Sequence, residues 1–333
     1  MVLREHEDST VTAPNASGRV VVVGSANIDL VVEVDRRPQG GETLIGSDLH
    51  FFAGGKGANQ AAAAAVAGAA TQFVACVGSD ANATFLREQL TRSGVDLSAV
   101  RTVERPTGTA MIILTPDGEN SIVVSPGANS TLDVDTAEAV STVWKQANVV
   151  VAGLEIPETT ATHVAIQAAA AGVRVVLNAA PAATLDHETL AACDPLVVNE
   201  YEARIVLGGA TGENFEQLAT QLRDRGARSV VITLGSAGAV ICDESGVSFV
   251  PAYRVDVVDT TGAGDAFVGA VACELARGSS LRDSVLFATA MSAMAVQSKG
   301  AQTSYRSRDE VEDFIARRGS PERSTTSLPL REG

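Results

Sequence analysis

Aromatic residues make up only 4% of this 333-residue chain, with one Trp, three Tyr and nine Phe. Apolar residues nonetheless reach 45%, so the core must be built from Ala, Val, Leu and Ile. Cysteine is scarce too. Cys76, Cys193, Cys242 and Cys273 lie far apart with no C-x-x-C pair. That argues against a zinc site or a disulfide framework and fits reduced structural thiols in a cytoplasmic protein. Four scattered histidines, His6, His50, His163 and His187, supply no H-E-x-x-H or similar metal spacing. Basic residues are outnumbered 25 to 40, for a net charge of −15, which argues against a nucleic-acid footprint with its clustered Lys and Arg. A local anion hole can still outweigh that overall field for a small anion. No apolar run reaches the ~18 residues that span a bilayer, so no membrane partner is expected. Met1–Ser17 is polar and mixed in charge, without the apolar stretch of a secretory signal.

Residues 1–17 and the Ser-, Thr-, Arg- and Pro-rich 318–333 read as disordered extensions. Between them, over 18–317, short apolar strands alternate with helices. The expected fold class is α/β, with a mostly parallel central sheet flanked by helices. Strands are expected at 19–24, 71–77, 148–153, 173–177, 194–198 and 229–234, and a hairpin over 239–250. Helices are expected near 57–69, 82–93, 133–146, 157–171, 200–207, 213–225, 264–277, 281–297 and 308–317. Two segments break the rhythm. Residues 29–53 alternate apolar and polar side chains, both in Leu30–Val34 and in Glu42–Ile45. Residues 108–125 form a hairpin around Pro116-Asp117-Gly118-Glu119. Together they read as a small β-sheet standing off the main domain.

The chemistry concentrates where glycines precede helices. Asp259-Thr260-Thr261-Gly262-Ala263-Gly264-Asp265 runs into the helical pattern from Ala266. Small residues there expose backbone N–H groups at a helix N-terminus, where developing negative charge is stabilised. Asp265, in the first turn, is placed to accept a proton from an attacking hydroxyl. An N-cap is the competing role. A second cluster, Gly54-Gly55-Lys56-Gly57-Ala58-Asn59-Gln60, opens an Ala-rich helix and lacks the G-x-x-x-x-G-K-[ST] spacing of a Walker loop. Its glycines favour close backbone approach at Gly55 and Lys56 over a side-chain role for Lys56. Asn59 also suits a first-turn or capping position. A third element is the buried strand Val20–Val23 leading to Asn27 and Asp29, polar groups that suit either a turn or sugar hydroxyls. Glu155 follows the strand Val149–Gly153, either as a cap before Pro157 or as a ligand at the carboxyl edge of a sheet.

In order, the motifs G-S-x-N-x-D, G-G-K-G-A-N-Q-A, L-E-x-P, N-E-x-E-A, T-L-G-S-x-G and D-T-x-x-A-G-D resemble those of the ribokinase family of carbohydrate kinases, from about Arg19 to about Ile315. The resemblance implies a lid over the site, which would exclude water from the activated phosphoryl group. It implies ATP-dependent phosphorylation of D-ribose at its 5-hydroxyl. Asp265 is then the base, and the amides of Gly262, Ala263 and Gly264 form the anion hole. It assigns sugar contacts to Asn27, Asp29, Gly55, Lys56, Asn59 and Glu155. Nucleotide contacts fall to Asn199, Thr233, Gly235, Ser236, Gly238 and Gly264, with Thr289 lining the adenine pocket. Glu202 would organise Mg²⁺, in part through water. A K⁺ site is implied at Asp259, Thr261, Ala295, Ser298, Gly300 and Ser304. Two departures from the family pattern stand out: Val197-Val198-Asn199 in place of Thr-Pro-Asn, and Ala179 where Pro is expected after Asn178.

Other acceptors of the same family, namely deoxyribose, a nucleoside or a ketohexose, stay open, as does a non-catalytic sugar or nucleotide sensor. A nicotinamide-dependent oxidoreductase does not, because Gly24-Ser25-Ala26-Asn27-Ile28-Asp29 fails the G-x-G-x-x-G pattern. The exposed edge of the small sheet suits pairing with a second copy, so a homodimer is expected.

Overall fold

Val20–Val23 sets the architecture. Alternate side chains of a strand face opposite ways, and here both directions are buried, with Val20 and Val22 in one apolar cluster and Val21 and Val23 in another. An unbroken β-branched run of this kind suits a central strand covered on both faces. The computed structural model describes residues 18–116, 120–209 and 214–321. The expected extension over 1–17, residues 117–119 of the hairpin turn and residues 322–333 lie outside the described residues.

The strands are β1 (Arg19–Val23), β2 (Asn27–Glu33), β3 (His50–Gly54), β4 (Ala70–Val77), β5 (Val100–Thr102), β6 (Gly108–Leu114), β7 (Asn120–Ser125), β8 (Val149–Gly153), β9 (Arg174–Asn178), β10 (Leu196–Asn199), β11 (Val230–Thr233), β12 (Gly238–Asp243) and β13 (Gly246–Pro251). The main sheet runs β13-β12-β11-β10-β9-β8-β1-β4-β5. It is parallel from β11 to β5 and closes at one edge with the antiparallel hairpin β12–β13. Helices Lys56–Val66, Ala81–Arg92, Ala263–Ala276 and Leu281–Ala295 cover the Val20/Val22 face. Helices Glu158–Ala170, His187–Ala192, Glu200–Val206 and Phe215–Asp224 cover the other.

A separate four-stranded sheet, β3-β2-β6-β7, forms the lid. The β2 strand pairs parallel with β6 and antiparallel with β3, which puts Asp29, Phe52 and Ala110 in one cross-strand row. Two expectations fail locally. Glu42–Ile45 is not a strand: Ile45 is 99% exposed, and the segment is folded back by an Arg36–Glu42 ion pair and a Glu42 N–H bond to Gln39 O. The helix expected over 133–146 is two short ones, Val134–Glu138 and Ser141–Trp144. The buried Trp144 indole donates to Ala137 O (3.1 Å), the carbonyl that a continuous helix would give to the amide of residue 141.

Candidate active site

Parallel strands end on one common edge, so β1, β8, β9, β10 and β11 deliver Ser25, Glu155, Asn178, Asn199 and Thr233 to the same side of the sheet. Asn199 and Thr233 are register partners there. Helices Lys56–Val66 and Ala263–Ala276 begin on this side and pack unusually close. A Cβ on Gly269 would lie 2.6 Å from Gln60 O and from Ala63 Cβ, so only glycine permits the approach. One turn before Gly269, Asp265 is thereby brought against Asn59 and Gln60.

Asp265 is buried at the third position of its helix. Asn59 Nδ2 donates to its Oδ2 (3.0 Å) and Gln60 Nε2 to its Oδ1 (3.0 Å). Gln60 Nε2 also reaches Asn178 Oδ1 (3.0 Å), and Gln302 Nε2 donates to Asn59 Oδ1 (3.0 Å). Burial pushes the Asp265 carboxyl above its ordinary range, against the pull of Lys56 and the Asn59 bond. A raised carboxyl is a stronger proton acceptor.

The turn before it is held from outside. Gly262 adopts φ 73°, a left-handed conformation natural to glycine, and a Cβ there would lie 2.5 Å from Ala301 Cβ. Tyr305 Oη donates to Gly262 O (3.1 Å) and Ser292 Oγ to Ala263 O (2.9 Å). Ala263 N–H closes onto Thr260 O (3.2 Å), and Ala266 N–H is bonded to Gly262 O (2.8 Å). Among the described residues this leaves the first-turn amides of Gly264 and Asp265 without a bond to a backbone carbonyl.

Across the site, Glu155 Oε2 accepts from Ser25 Oγ (2.7 Å) and from the backbone N–H of Lys56 (3.0 Å). The Lys56 amide, expected from the sequence to face a ligand, is therefore engaged by Glu155. The Lys56 ammonium faces Asp265, Glu155, Glu202 and Asp29, and attraction to Asp265 first among them raises its pKa. Asp29 is pushed up to about 7 by burial, then by repulsion from Glu155 and Asp265, with Lys56 opposing. Asn27 is buried, and its Oδ1 accepts from Asn129 Nδ2 (2.7 Å). Asn129 also brackets Ala26, accepting from its N–H (2.9 Å) and donating to its carbonyl (3.2 Å). Gly55, with φ 85°, precedes the helix and lines up beside Asn27.

Asn199 and Glu202 form a reciprocal cap: the Asn199 side chain accepts from Glu202 N–H (2.8 Å), and Glu202 Oε2 accepts from Asn199 N–H (2.7 Å). Burial raises the Glu202 carboxyl, with the Asn199 bond and Lys56 opposing, so the capping carboxylate shares the field of the central site. Thr233 enters a tight turn, Gly235–Ala237, closed by Leu234 N–H to Gly238 O (2.8 Å); Ser236 lies within it. Thr289 is buried, and its hydroxyl donates to Leu286 O (2.8 Å) in its own helix, so it offers no free donor.

The residues expected to hold a monovalent cation come from two loops that the fold does join. Asp259 Oδ1 accepts from Thr261 N–H (2.9 Å) and its Oδ2 from Gly300 N–H (2.8 Å). Although burial pushes the Asp259 carboxyl up, those amides hold it below its usual range. Ala295 O accepts from Ser298 N–H (3.1 Å), Ser298 Oγ from Arg306 Nη2 (2.7 Å), and Ser304 is buried with its hydroxyl on Ala301 O (2.7 Å). Among the described residues no group of three or more His, Cys, Asp or Glu is arranged to hold a metal.

Sequence reasoning missed Gln60, Asn129, Ser292, Gln302 and Tyr305 as parts of the site. Signals existed for two of them: Gln60 ends the second glycine cluster, and Gly127-Ala128-Asn129 repeats the tripeptide Gly57-Ala58-Asn59.

Residues 17–308 match the family model described as pfkB family carbohydrate kinase. A ribokinase of Schizosaccharomyces pombe is 42% identical over 307 residues, covering 88% of this chain and 96% of its own length. A ribokinase of Haemophilus influenzae is 36% identical over 299 residues, covering 89% and 98%. The structure of an Arabidopsis thaliana ribokinase complexed with ribose and ATP superposes with a TM-score of 0.84 at 35% identity, covering 90% of this chain and 99% of that one. The chain belongs to the pfkB family of carbohydrate kinases.

Proposed function

We propose that this protein transfers the γ-phosphoryl group of ATP to the 5-hydroxyl of D-ribose, giving ribose 5-phosphate and ADP. One observation carries the reading: a buried carboxylate, Asp265, fixed through both oxygens beside free first-turn amides at the carboxyl edge of the sheet. Asp265 takes the hydroxyl proton as the O5–P bond forms and the bond from γ-phosphorus to its bridging oxygen breaks. Charge on the phosphoryl oxygens in transit meets the amides of the Gly262–Gly264 turn, with Gly264 foremost.

The sugar is held by Asn27, Asp29, Glu155 and Asn59, with Gly55 and Lys56 beside them. The Ser25 and Lys56 bonds both fall on Glu155 Oε2, which leaves Oε1 to accept from a sugar hydroxyl. ATP lies along Asn199, the Thr233–Gly238 turn with Gly235 and Ser236, Gly264 and the neighbourhood of Thr289. Among the described residues no cluster of acidic ligands forms, and the half-buried Glu202 carboxylate would suit Mg²⁺ that keeps most of its water. Bound there, Mg²⁺ would neutralise phosphate charge. The clip of Asp259 onto Gly300 fits a K⁺ site made of carbonyl donors from the two loops it joins.

The lid supports a homodimer. Phe51, Met111 and Val123 form a cross-strand row with Leu30, and these three are 55%, 48% and 61% exposed. An apolar stripe of this kind on the face turned from Asp29 suits a second copy. Four buried free cysteines suit a cytoplasmic location.

The test is ADP release by purified protein with MgATP and K⁺, comparing D-ribose, 2-deoxyribose, fructose and adenosine. Ribose is expected to be preferred, and Asp265→Asn to lower kcat by about 10²–10⁴-fold. Preference for another acceptor would discard ribose and keep the kinase. Tight ATP binding with no turnover on any acceptor would favour a sensor.

A further inference from the structure

We propose that Gln302 is a positioning residue: its amide sets the orientation of Asn59, so that Asn59 presents an N–H and not its carbonyl oxygen to Asp265. The inference rests on the reading of Asp265 as the base.

A side-chain amide has one donor end and one acceptor end, so a bond at one end decides what the other end offers. Asn59 stands between Gln302 and Asp265. Gln302 Nε2 donates to Asn59 Oδ1 (3.0 Å), and Asn59 Nδ2 in turn donates to Asp265 Oδ2 (3.0 Å). Were Asn59 reversed, its Oδ1 would face the carboxylate oxygen, acceptor against acceptor. Asp265 itself discourages that reversal, and Gln302 removes the incentive for it by occupying Oδ1.

The far end of Gln302 is the second observation. Its Oε1 is buried and has no hydrogen-bond partner among the described residues. An unpaired buried carbonyl is unfavourable, and such groups call for a reason. Here the reason is the donor at the other end of the same amide. Gln60, the other donor to Asp265, is fixed independently through Asn178.

Gln302 opens the short 3₁₀ turn Gln302–Ser304, two residues after Gly300, whose N–H is held by Asp259. Asp259, Gly300, Gln302, Asn59 and Asp265 thus form one connected path from the 259–300 loop junction to the reacting carboxylate.

The test is a double-mutant cycle on the full chain, with steady-state kcat and KM for D-ribose at saturating MgATP. Gln302→Met keeps length and removes the donor; it should lower kcat/KM about tenfold, mostly in kcat. Gln302→Glu is isosteric but acceptor-only, so it invites Asn59 to reverse and should lower kcat/KM about a hundredfold. In an Asn59→Ala background either substitution should change kcat/KM by less than about twofold. Thermal melting and ATP affinity accompany each variant, and if the Met variant does not fold, the isosteric Glu variant decides. Equal losses with and without Asn59, or an unchanged kcat in both Gln302 variants, would overturn the proposal. Asp265→Asn is measured alongside. If it keeps full turnover, the base reading and this inference fall together; if it is inactive while the Gln302 effects are additive with Asn59→Ala, only the inference falls.

Discussion

Replacing Asp29 by Asn should make the protein more stable at pH 8 and leave its stability unchanged near pH 4. Asp29, on the lid strand β2, is partly withdrawn from water and lies in the field of Glu155 and Asp265, with Lys56 as the compensating cation. Burial, then those two carboxylates, lift its pKa from 3.8 to about 7. The sign follows from proton binding: a carboxyl raised in the folded state holds its proton when the unfolded chain has already released it. Stability therefore falls as pH climbs from about 3.8 to about 7, and is flat above. The rise corresponds to about 4 kcal/mol at about 1.4 kcal/mol per tenfold. The residual water contact of Asp29 lowers what the Asp29→Asn substitution should recover to about 2–3 kcal/mol. Denaturant melts of both proteins at pH 4.5 and pH 8 read this directly, through midpoints at constant slope. A stability difference that is the same at the two pH values would refute the reasoning, because a pH-independent change would mean packing or hydrogen bonding and not ionisation. Ribose affinity should fall in the same variant, since an amide oxygen replaces a carboxylate as acceptor.

Gly262→Ala should destabilise the chain by about 2 kcal/mol or more and lower kcat by about 10²-fold, because the new Cβ meets Ala301 and φ is 73°; melting and turnover check both. Replacing K⁺ by Na⁺ should reduce turnover, and an identical rate in the two salts would remove the cation site assigned to the Asp259–Gly300 junction. Val123→Glu on the lid should convert a dimer to monomers in analytical ultracentrifugation, and a wild-type protein that sediments as a monomer would end the dimer reading.

Much of the main sheet was legible because its strands are short β-branched runs with both faces buried, as in Val20–Val23 and Val149–Val151. The helix over 133–146 was not legible, because its break depends on Trp144 reaching Ala137 O, a contact that local periodicity does not report. Asp265 and its amides were legible from seven consecutive residues. The donors that hold Asp265 were only half so. Asn59 and Gln60 lay in one glycine motif, but only Asn59 was given a role there, and Gln302 looked like an ordinary polar residue. Their bonds cross sequence separations of 205 for Gln60 to Asp265 and 243 for Gln302 to Asn59. Lys56 shows the same limit: flanking glycines pointed to its backbone as a ligand contact, but in the fold Glu155 accepts from that amide, and the ammonium feels the surrounding carboxylates.

The sequence by itself determined the alternation of strand and helix and the small residues at the helix starts, since both follow from local sterics and burial. Only the tertiary structure decided which way each amide points, how far each carboxyl is raised and which backbone N–H remains free. Those properties belong to pairs of groups brought together across the common edge of a parallel sheet, and no stretch of chain contains both partners.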